Sequence, residues 1–343
     1  MGGAMLSGLL AAVLTIPAVA SLPGVGGVRF QSDLWLYNDS AEDAVTVTLT
    51  YRCLRSLPCE PPPREVRLAP QRSLLLEDVA GALLESPGTA GPLEVSFLDG
   101  AGPVGVASRV YASAAAGTFG TPVPALTASA ARLRSVLVGA RGGPAYRSNA
   151  GVYNPGTRPA ALVLALYAAA GRLLGALGEG LGPGQALQVD DVFSALGAAP
   201  AGDATAVLAV SSTAPVVSYL AVVDNASGDA VLQTPVEDED VSSPVLAGAW
   251  SGRFESPNLF LDCDVPESAA HAEFLETGGA VAAVLDAHGS DCGFRDGLFT
   301  GTLRGGAVAG TLAVDGWSAP AGGPLSGTEL MLDTAFGRFY LHR

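Results

Sequence analysis

"FQSDLWLYNDS" (residues 30–40) and "YRSNAGVYNPG" (residues 146–156) are two versions of one stretch. Ser32 aligns with Ser148, Tyr37 with Tyr153, Asn38 with Asn154 and Tyr51 with Tyr167, each 116 positions apart. "LAPQRSLLLEDV" (68–79) matches "LGPGQALQVDDV" (181–192) at a spacing of 113, and "VASRVYA" (106–112) matches "VVSYLAV" (216–222) at 110. Order is kept while the spacing shrinks in steps, as in a duplicated domain whose loops have since shortened. The first loss falls inside the loop between Cys53 and Cys59, which the second copy replaces with "AAAGRLLGALGEG" (168–180).

Each copy reads as β-structure. "AVTVTLTYR" (44–52) alternates apolar and polar residues with period two, the pattern of a strand with one buried face. "LVLALYA" (162–168) is more uniformly apolar, which predicts burial on both faces or a packed neighbour. Further short apolar runs between Gly/Pro turns have the spacing of a sandwich. One short helix is expected per copy, where Asp78 precedes "VAGALLE" and Asp191 precedes "VFSALGA". An aspartate there accepts the free N–H groups of the first turn. The shared Asn38 and Asn154 stand at a strand end before turn residues and read as turn-forming side chains, against a competing glycan-contacting role. Asn38 and Asn225 also fit the N-x-[ST] acceptor pattern.

Extending the alignment backwards sets "TIPAVASLPG" (15–24) against "SVLVGARGG" (135–143), which makes Thr15–Leu22 the first strand. Residues 1–13 then read as the remnant of an export signal. Ala18-Val19-Ala20 looks like a signal-peptidase site, but cleavage there would halve the strand, and no positive segment precedes it. Pro17, Pro23 and the clustered glycines argue against a stable membrane span.

The run Ser32-Asp33-Leu34-Trp35-Leu36-Tyr37-Asn38, the Thr/Val-rich strand, the L-x-P-G turn and the D-V pair together resemble tandem β-sandwich modules of large exported proteins of soil bacteria. The resemblance covers residues 14–126 and 133–236, and implies exported immunoglobulin-like modules without chemistry of their own. The second copy has Ala150-Gly151 in place of Leu34-Trp35, which weakens any surface role for Trp35 common to both.

After the acidic run at 237–244, read as a linker, the character changes. "GAWSGRF", "NLFLDC", "AHAEFLE", "AVAAVLD", "LFTGTLRG", "AVAGTLAV", "TELMLD" and "GRFYLHR" give eight short strands joined by Gly-Gly and Asp-Gly turns. Over residues 245–343, eight strands in meander order can close a small barrel, either filled by side chains or holding one small ligand. Gly248-Ala249-Trp250 resembles the G-x-W of lipocalins and avidins, and the resemblance implies a late arginine, Arg338 or Arg343, packed on the tryptophan. A ligand-holding barrel would present Trp250, Phe260, Phe274 and Phe299 inward.

Composition limits the function. A net charge of −15 repels phosphate backbones, which argues against nucleic-acid partners. The absence of lysine, and Ile16 as the sole isoleucine, read as coding bias. Cys53, Cys59, Cys263 and Cys292 read as two disulfides of an exported protein, against free buried thiols; no C-x-x-C pair occurs, and three histidines supply a zinc site poorly. No G-x-S-x-G, phosphate-binding loop or H-E-x-x-H is present. "DAHGSDCGF" (286–294) gathers Asp286, His288, Ser290 and Asp291, but neighbours on one turn cannot all converge as a triad. Glu77-Asp78 and Asp190-Asp191 are adjacent on strands and so point to opposite faces, unlike a glycosidase pair. "DNASGD" (224–229) has calcium-like oxygen spacing and reads as a turn.

The expectation is an all-β chain of two tandem immunoglobulin-like antiparallel sandwiches followed by an eight-stranded barrel, with no catalytic residue, metal or cofactor. The expected function is a non-catalytic structural or adhesive protein of the bacterial surface or extracellular space. A protein surface, a glycan or a second copy are its partner classes. An apolar-ligand carrier built on the barrel is the alternative, and a hydrolase ranks last.

Overall fold

The computed structural model describes residues 11–24, 27–98, 103–114, 117–236, 246–256, 267–288 and 293–343. They form an all-β protein of two curled sheets and a closed antiparallel barrel.

The first copy holds β1 (Ala11–Pro23), β2 (Arg29–Asn38), β3 (Val45–Tyr51), β4 (Arg64–Leu68), β5 (Ser73–Leu76), β6 (Thr89–Leu98), β7 (Val104–Ala114), β8 (Gly117–Val123) and β9 (Leu126–Thr127). They run in the order β4-β3-β6-β1-β2-β7-β8, with β5 on β2 and β9 on β1. β1 follows β6 as far as Ser21 and then passes to β2 at Leu22 and Pro23, so one strand carries the sheet round a corner. Its register slips between Ile16 and Val19, at Pro17, which has no N–H for the ladder. Period-two alternation turns Val45, Val47, Leu49 and Tyr51 inward onto Leu34 and Leu36. β1 begins at Ala11, ahead of the Thr15 start read from sequence; residues 1–10 lie outside the described residues.

The second copy repeats the plan with β10 (Arg132–Gly142), β11 (Tyr146–Tyr153), β12 (Ala160–Ala168), β13 (Leu173–Leu181), β14 (Ala186–Val189), the one-turn α1 (Val192–Ala195), β15 (Ala204–Asp224) and β16 (Ala230–Gln233). The first half of β15 pairs with β10 and β12, and its second half with β11 and β16. This single strand therefore does the work of β6 and β7. Trp35 lies opposite Ala107, and its counterpart Gly151 lies opposite Tyr219. The last matched segment is thus 112 positions apart in space, not the 110 read from sequence. A slip of two residues leaves every side chain on its own face.

The helix expectation needs one correction. At Val79–Leu83 there is a single π-helical turn, capped by Asp78, whose Oδ1 accepts from the Gly81 N–H at 3.4 Å. Asp191 makes no such side-chain bond ahead of α1. What the two aspartates share is backbone: both have left-handed φ, 42° and 43°. The Asp78 N–H donates to Asp33 Oδ1 at 3.2 Å, and the Asp191 N–H to Asn149 Oδ1 at 3.0 Å. Aspartate tolerates this conformation better than most residues do.

The barrel comprises β17 (Gly248–Glu255), β18 (Glu267–Thr277), β19 (Ala280–His288), β20 (Gly297–Arg304), β21 (Ala307–Val314), β22 (Trp317–Ser326), β23 (Glu329–Thr334) and β24 (Gly337–His342), closed by β24 on β17. Its strand set differs from the one read in sequence. "NLFLDC" and the 237–244 linker lie outside the described residues, and β22 was missed because Pro320, Gly322, Gly323 and Pro324 read as loop. Pairing of β22 with β23 lapses at Gly323 and Pro324, where an absent N–H does no harm.

"LVLALYA" now has its explanation. The core face of β12 carries Leu162, Leu164 and Leu166. Its other face buries Ala161 and Val163 against Ala280, Ala282 and Val284 of β19. Gly178 and Gly180 of β13 keep this joint close: a Cβ on Gly178 would stand 2.4 Å from the Val281 carbonyl oxygen.

Candidate binding surfaces

The shared asparagines are fully buried clamps. Asn38 Nδ2 donates to the carbonyls of Asp43, Leu68 and Ala69, and its Oδ1 accepts from the Ser40 N–H. Asn154 repeats this bond for bond, with Nδ2 donating to Arg158, Leu181 and Gly182 and Oδ1 accepting from the Gly156 N–H. Each ties the loop after its strand to the turn two strands on. With its side chain buried and fully engaged, Asn38 presents nothing to a glycan. Ser32 and Ser148, also buried, accept from the N–H groups of Ala20 and Arg141 in the first strand of each copy.

One face is used differently in the two copies. In the second, Gly151, Tyr153, Ala186, Val217 and Tyr219 turn away from the core and are buried, with Tyr153, Ala186 and Val217 packed against the first copy. The Tyr153 hydroxyl donates to Glu94 at 2.7 Å. Leu54 and Arg55, inside the Cys53–Cys59 disulfide loop, reach across. Leu54 bridges to Ala186, the Arg55 N–H donates to the Ala186 carbonyl, and its guanidinium pairs with Glu179 at 2.6 Å.

The matching face of the first copy carries Trp35, Tyr37, Leu75, Arg109 and Tyr111, and it is open. Tyr37, the counterpart of Tyr153, is 37% exposed where Tyr153 is 3% exposed, and Leu75 is 43% exposed. Arg109 lies over the Tyr111 ring at 4.3 Å and the Trp35 ring at 5.9 Å, and it pairs with buried Asp33 at 3.1 Å. Asp33 thus fixes the guanidinium against the two rings. Each copy places one aromatic at the same spot, but from opposite strands: Trp35 against Ala107, and Tyr219 against Gly151. Only glycine fits beneath the Tyr219 ring, since a Cβ there would stand 2.0 Å from it.

Trp250, Phe274 and Phe299 all lie in the barrel interior, fully or almost fully buried, and Phe260 lies outside the described residues. Trp250 meets Phe274 edge-on at 6.1 Å, and Phe254, Phe294 and Phe339 interlock at 4.7–5.7 Å. The Trp250 indole donates to the Leu246 carbonyl at 2.9 Å. Of the two late arginines, Arg343 lies beside Gly248, whereas Arg338 turns outward to Asp333.

Where the joint between the second copy and the barrel opens out, a cleft of about 930 Å³ forms at one mouth of the barrel. Phe294, Ala287 and Val314 are its apolar floor; Gly182, Pro183 and Gln185 stand on one side, Asp296 and His288 on the other. Asp286, 8% exposed, binds the Asp296 N–H through Oδ1 at 2.6 Å. Its Oδ2 lies 4.0 Å from both Arg158 and His288. The sequence placed Asp286 and His288 together at a hairpin tip but could not bring Arg158 to them; Ser290 and Asp291 lie outside the described residues.

Among the described residues, no three His, Cys, Asp or Glu side chains gather as a metal-holding group. In "DNASGD" the Asp224 carboxylate accepts from the N–H groups of Ala226 and Ser227, which lowers its pKa and closes a turn. Cys263 and Cys292 lie outside the described residues. Also among the described residues, no helix is long and apolar enough to cross a membrane. Compared with known proteins, the chain matches no family model, and neither a curated protein nor a solved structure matches it.

Proposed function

We propose that this chain is a non-catalytic, exported structural or adhesive protein that binds through the open aromatic face of its first repeat. The observation that carries the reading is the unequal use of one face: buried as a protein–protein joint in the second repeat, and left open in the first with Trp35, Tyr37, Leu75, Arg109 and Tyr111. Tryptophan, tyrosine and arginine dominate binding energy at protein interfaces, and a cation held over two rings is pre-organised for docking. The occupant is another copy of this chain, docking on the open face as the first repeat's disulfide loop and strand ends dock on the matching face of the second. Immunoglobulin-like repeats suit this role: each splits its strands between two faces joined by a bent strand. The Cys53–Cys59 disulfide is consistent with export to an oxidising space. The interlocked barrel interior favours a structural over a carrier role for residues 245–343.

Beads bearing the full chain should be retained on a surface bearing the same chain. Trp35→Ala combined with Leu75→Asp should weaken retention about thirtyfold, the loss expected for one interface hot spot, without lowering the melting temperature appreciably. Equal retention of the folded double variant, or no retention of wild type, would sink the reading.

A further inference from the structure

We propose that the cleft at the barrel mouth is a saccharide-binding site, independent of the open face of the first repeat. One wall comes from the second repeat and the other from the barrel, and both are built by features already described. On one side, the Asn154 clamp holds the carbonyls of Arg158, Leu181 and Gly182, which fixes both the Arg158 loop and the Gly182–Gln185 turn. On the other, the outward face of β19 runs Ala280, Ala282, Val284, Asp286, His288. Its first three residues are sealed against the second repeat, His288 lines the cleft, and the nearly buried Asp286 lies within 4.0 Å of it.

The chemistry at that point suits a neutral polyhydroxylated ring. Asp286 is nearly buried and its position is fixed by the Asp296 N–H. Among the described residues its Oδ2 takes no hydrogen bond, and the Arg158 guanidinium and the His288 imidazole that face it stand 4.0 Å away. Arg158 is also 3.8 Å from Asp296. These separations exceed a hydrogen bond and leave room for hydroxyl groups that donate to carboxylate and accept from guanidinium. Both acids, Asp296 and Asp315, and bases, Arg295 and His288, line the opening, so no single sign of charge prevails and a neutral ligand is preferred over an ion. Trp317 supplies the remaining element. It follows Gly316 on the cleft rim and is 76% exposed. It pairs directly with Val314 of the cleft floor, which puts both side chains on the same side of the ladder. An exposed indole beside a ring of hydroxyl-binding groups offers an apolar platform for the face of a sugar.

The full chain should be titrated with glucose, galactose, N-acetylglucosamine and cellobiose, by calorimetry and by tryptophan fluorescence. At least one sugar should bind. Asp286→Asn, which keeps the acceptor for the Asp296 N–H, and Trp317→Ala should each weaken it about tenfold or more with the fold intact. Trp35→Ala should leave it unchanged. Three results would overturn the proposal: no sugar binding to wild type, sugar binding that both cleft variants leave untouched, or binding lost on Trp35→Ala instead. The last would move the site to the first repeat. The bead assay reads the open face separately, so either proposal can fail alone.

Discussion

At the scale of the residue, Asn38 and Asn154 are the informative pair. Each is an amide with no exposure that donates twice over to three carbonyls and accepts from one N–H. Aspartate has the same shape and cannot donate, so at either position it would set a carboxylate against three carbonyl oxygens in a buried site. Asn38→Asp and Asn154→Asp should therefore each cost more than the corresponding alanine, for which about 3 kcal/mol is expected. Chemical denaturation of the four variants checks the order; an aspartate as stable as the alanine would contradict it. The sequence showed that these asparagines belong to turns. It could not show their reach, because two of the three carbonyls each holds come from a turn 27 to 31 residues away. The Trp35/Gly151 difference misled for a similar reason. It looked like loss of a surface aromatic, whereas cross-strand pairing reveals an exchange in which Tyr219 takes the place of the missing ring.

At the scale of the element, the Cys53–Cys59 loop holds two repeats together as well as closing on itself. Leu54 and Arg55 lie inside it, and both engage β14 of the second repeat. The second copy has no such loop, and there the corresponding edge, β13, lies against the barrel. The loop is short, so opening it releases only about 2 kcal/mol of chain entropy. Its larger effect should be on the joint. In the Cys53→Ala/Cys59→Ala variant both repeats should remain folded while amide exchange accelerates at residues 186–189 and 217–219. Arg55→Ala should do less, since a partly exposed ion pair contributes under about 1 kcal/mol. Unchanged exchange in the double variant would mean that the loop docks without the disulfide. Strands with one wet face were legible in sequence, and so was the doubled burial of β12; which neighbour covered it was not. β19, almost wholly apolar, carries the complementary signal, but nothing in either strand says that they meet. β22 was illegible because prolines and glycines that mark loops elsewhere are tolerated where ladder bonds lapse.

At the scale of the whole molecule, three β bodies share two joints, and the joint between the repeats contains titratable groups. Burial pushes the Tyr51 hydroxyl up to about 12. Burial, with the bond to Glu94, raises Tyr153, and burial, with the charge of Asp190, raises Tyr219. In the unfolded chain a tyrosine loses its proton near pH 10, whereas the folded chain retains all three above that. The unfolded state then binds fewer protons, so stability falls with rising pH. The contribution is complete below about pH 10 and disappears as pH climbs through the folded values, a loss on the order of 2 kcal/mol for Tyr51 alone. Tyr153 and Tyr219 lie in the joint itself, so alkali should part the repeats before it melts either. Calorimetry should give one transition near neutral pH and a split one above about pH 10. Tyr153→Phe has no proton to lose, and it leaves Glu94 without its phenol donor. It should start from a lower midpoint and decline less steeply with pH. A wild-type midpoint that stays level well past the tyrosine range, or separate transitions already at neutral pH, would show that the repeats are not joined through these side chains.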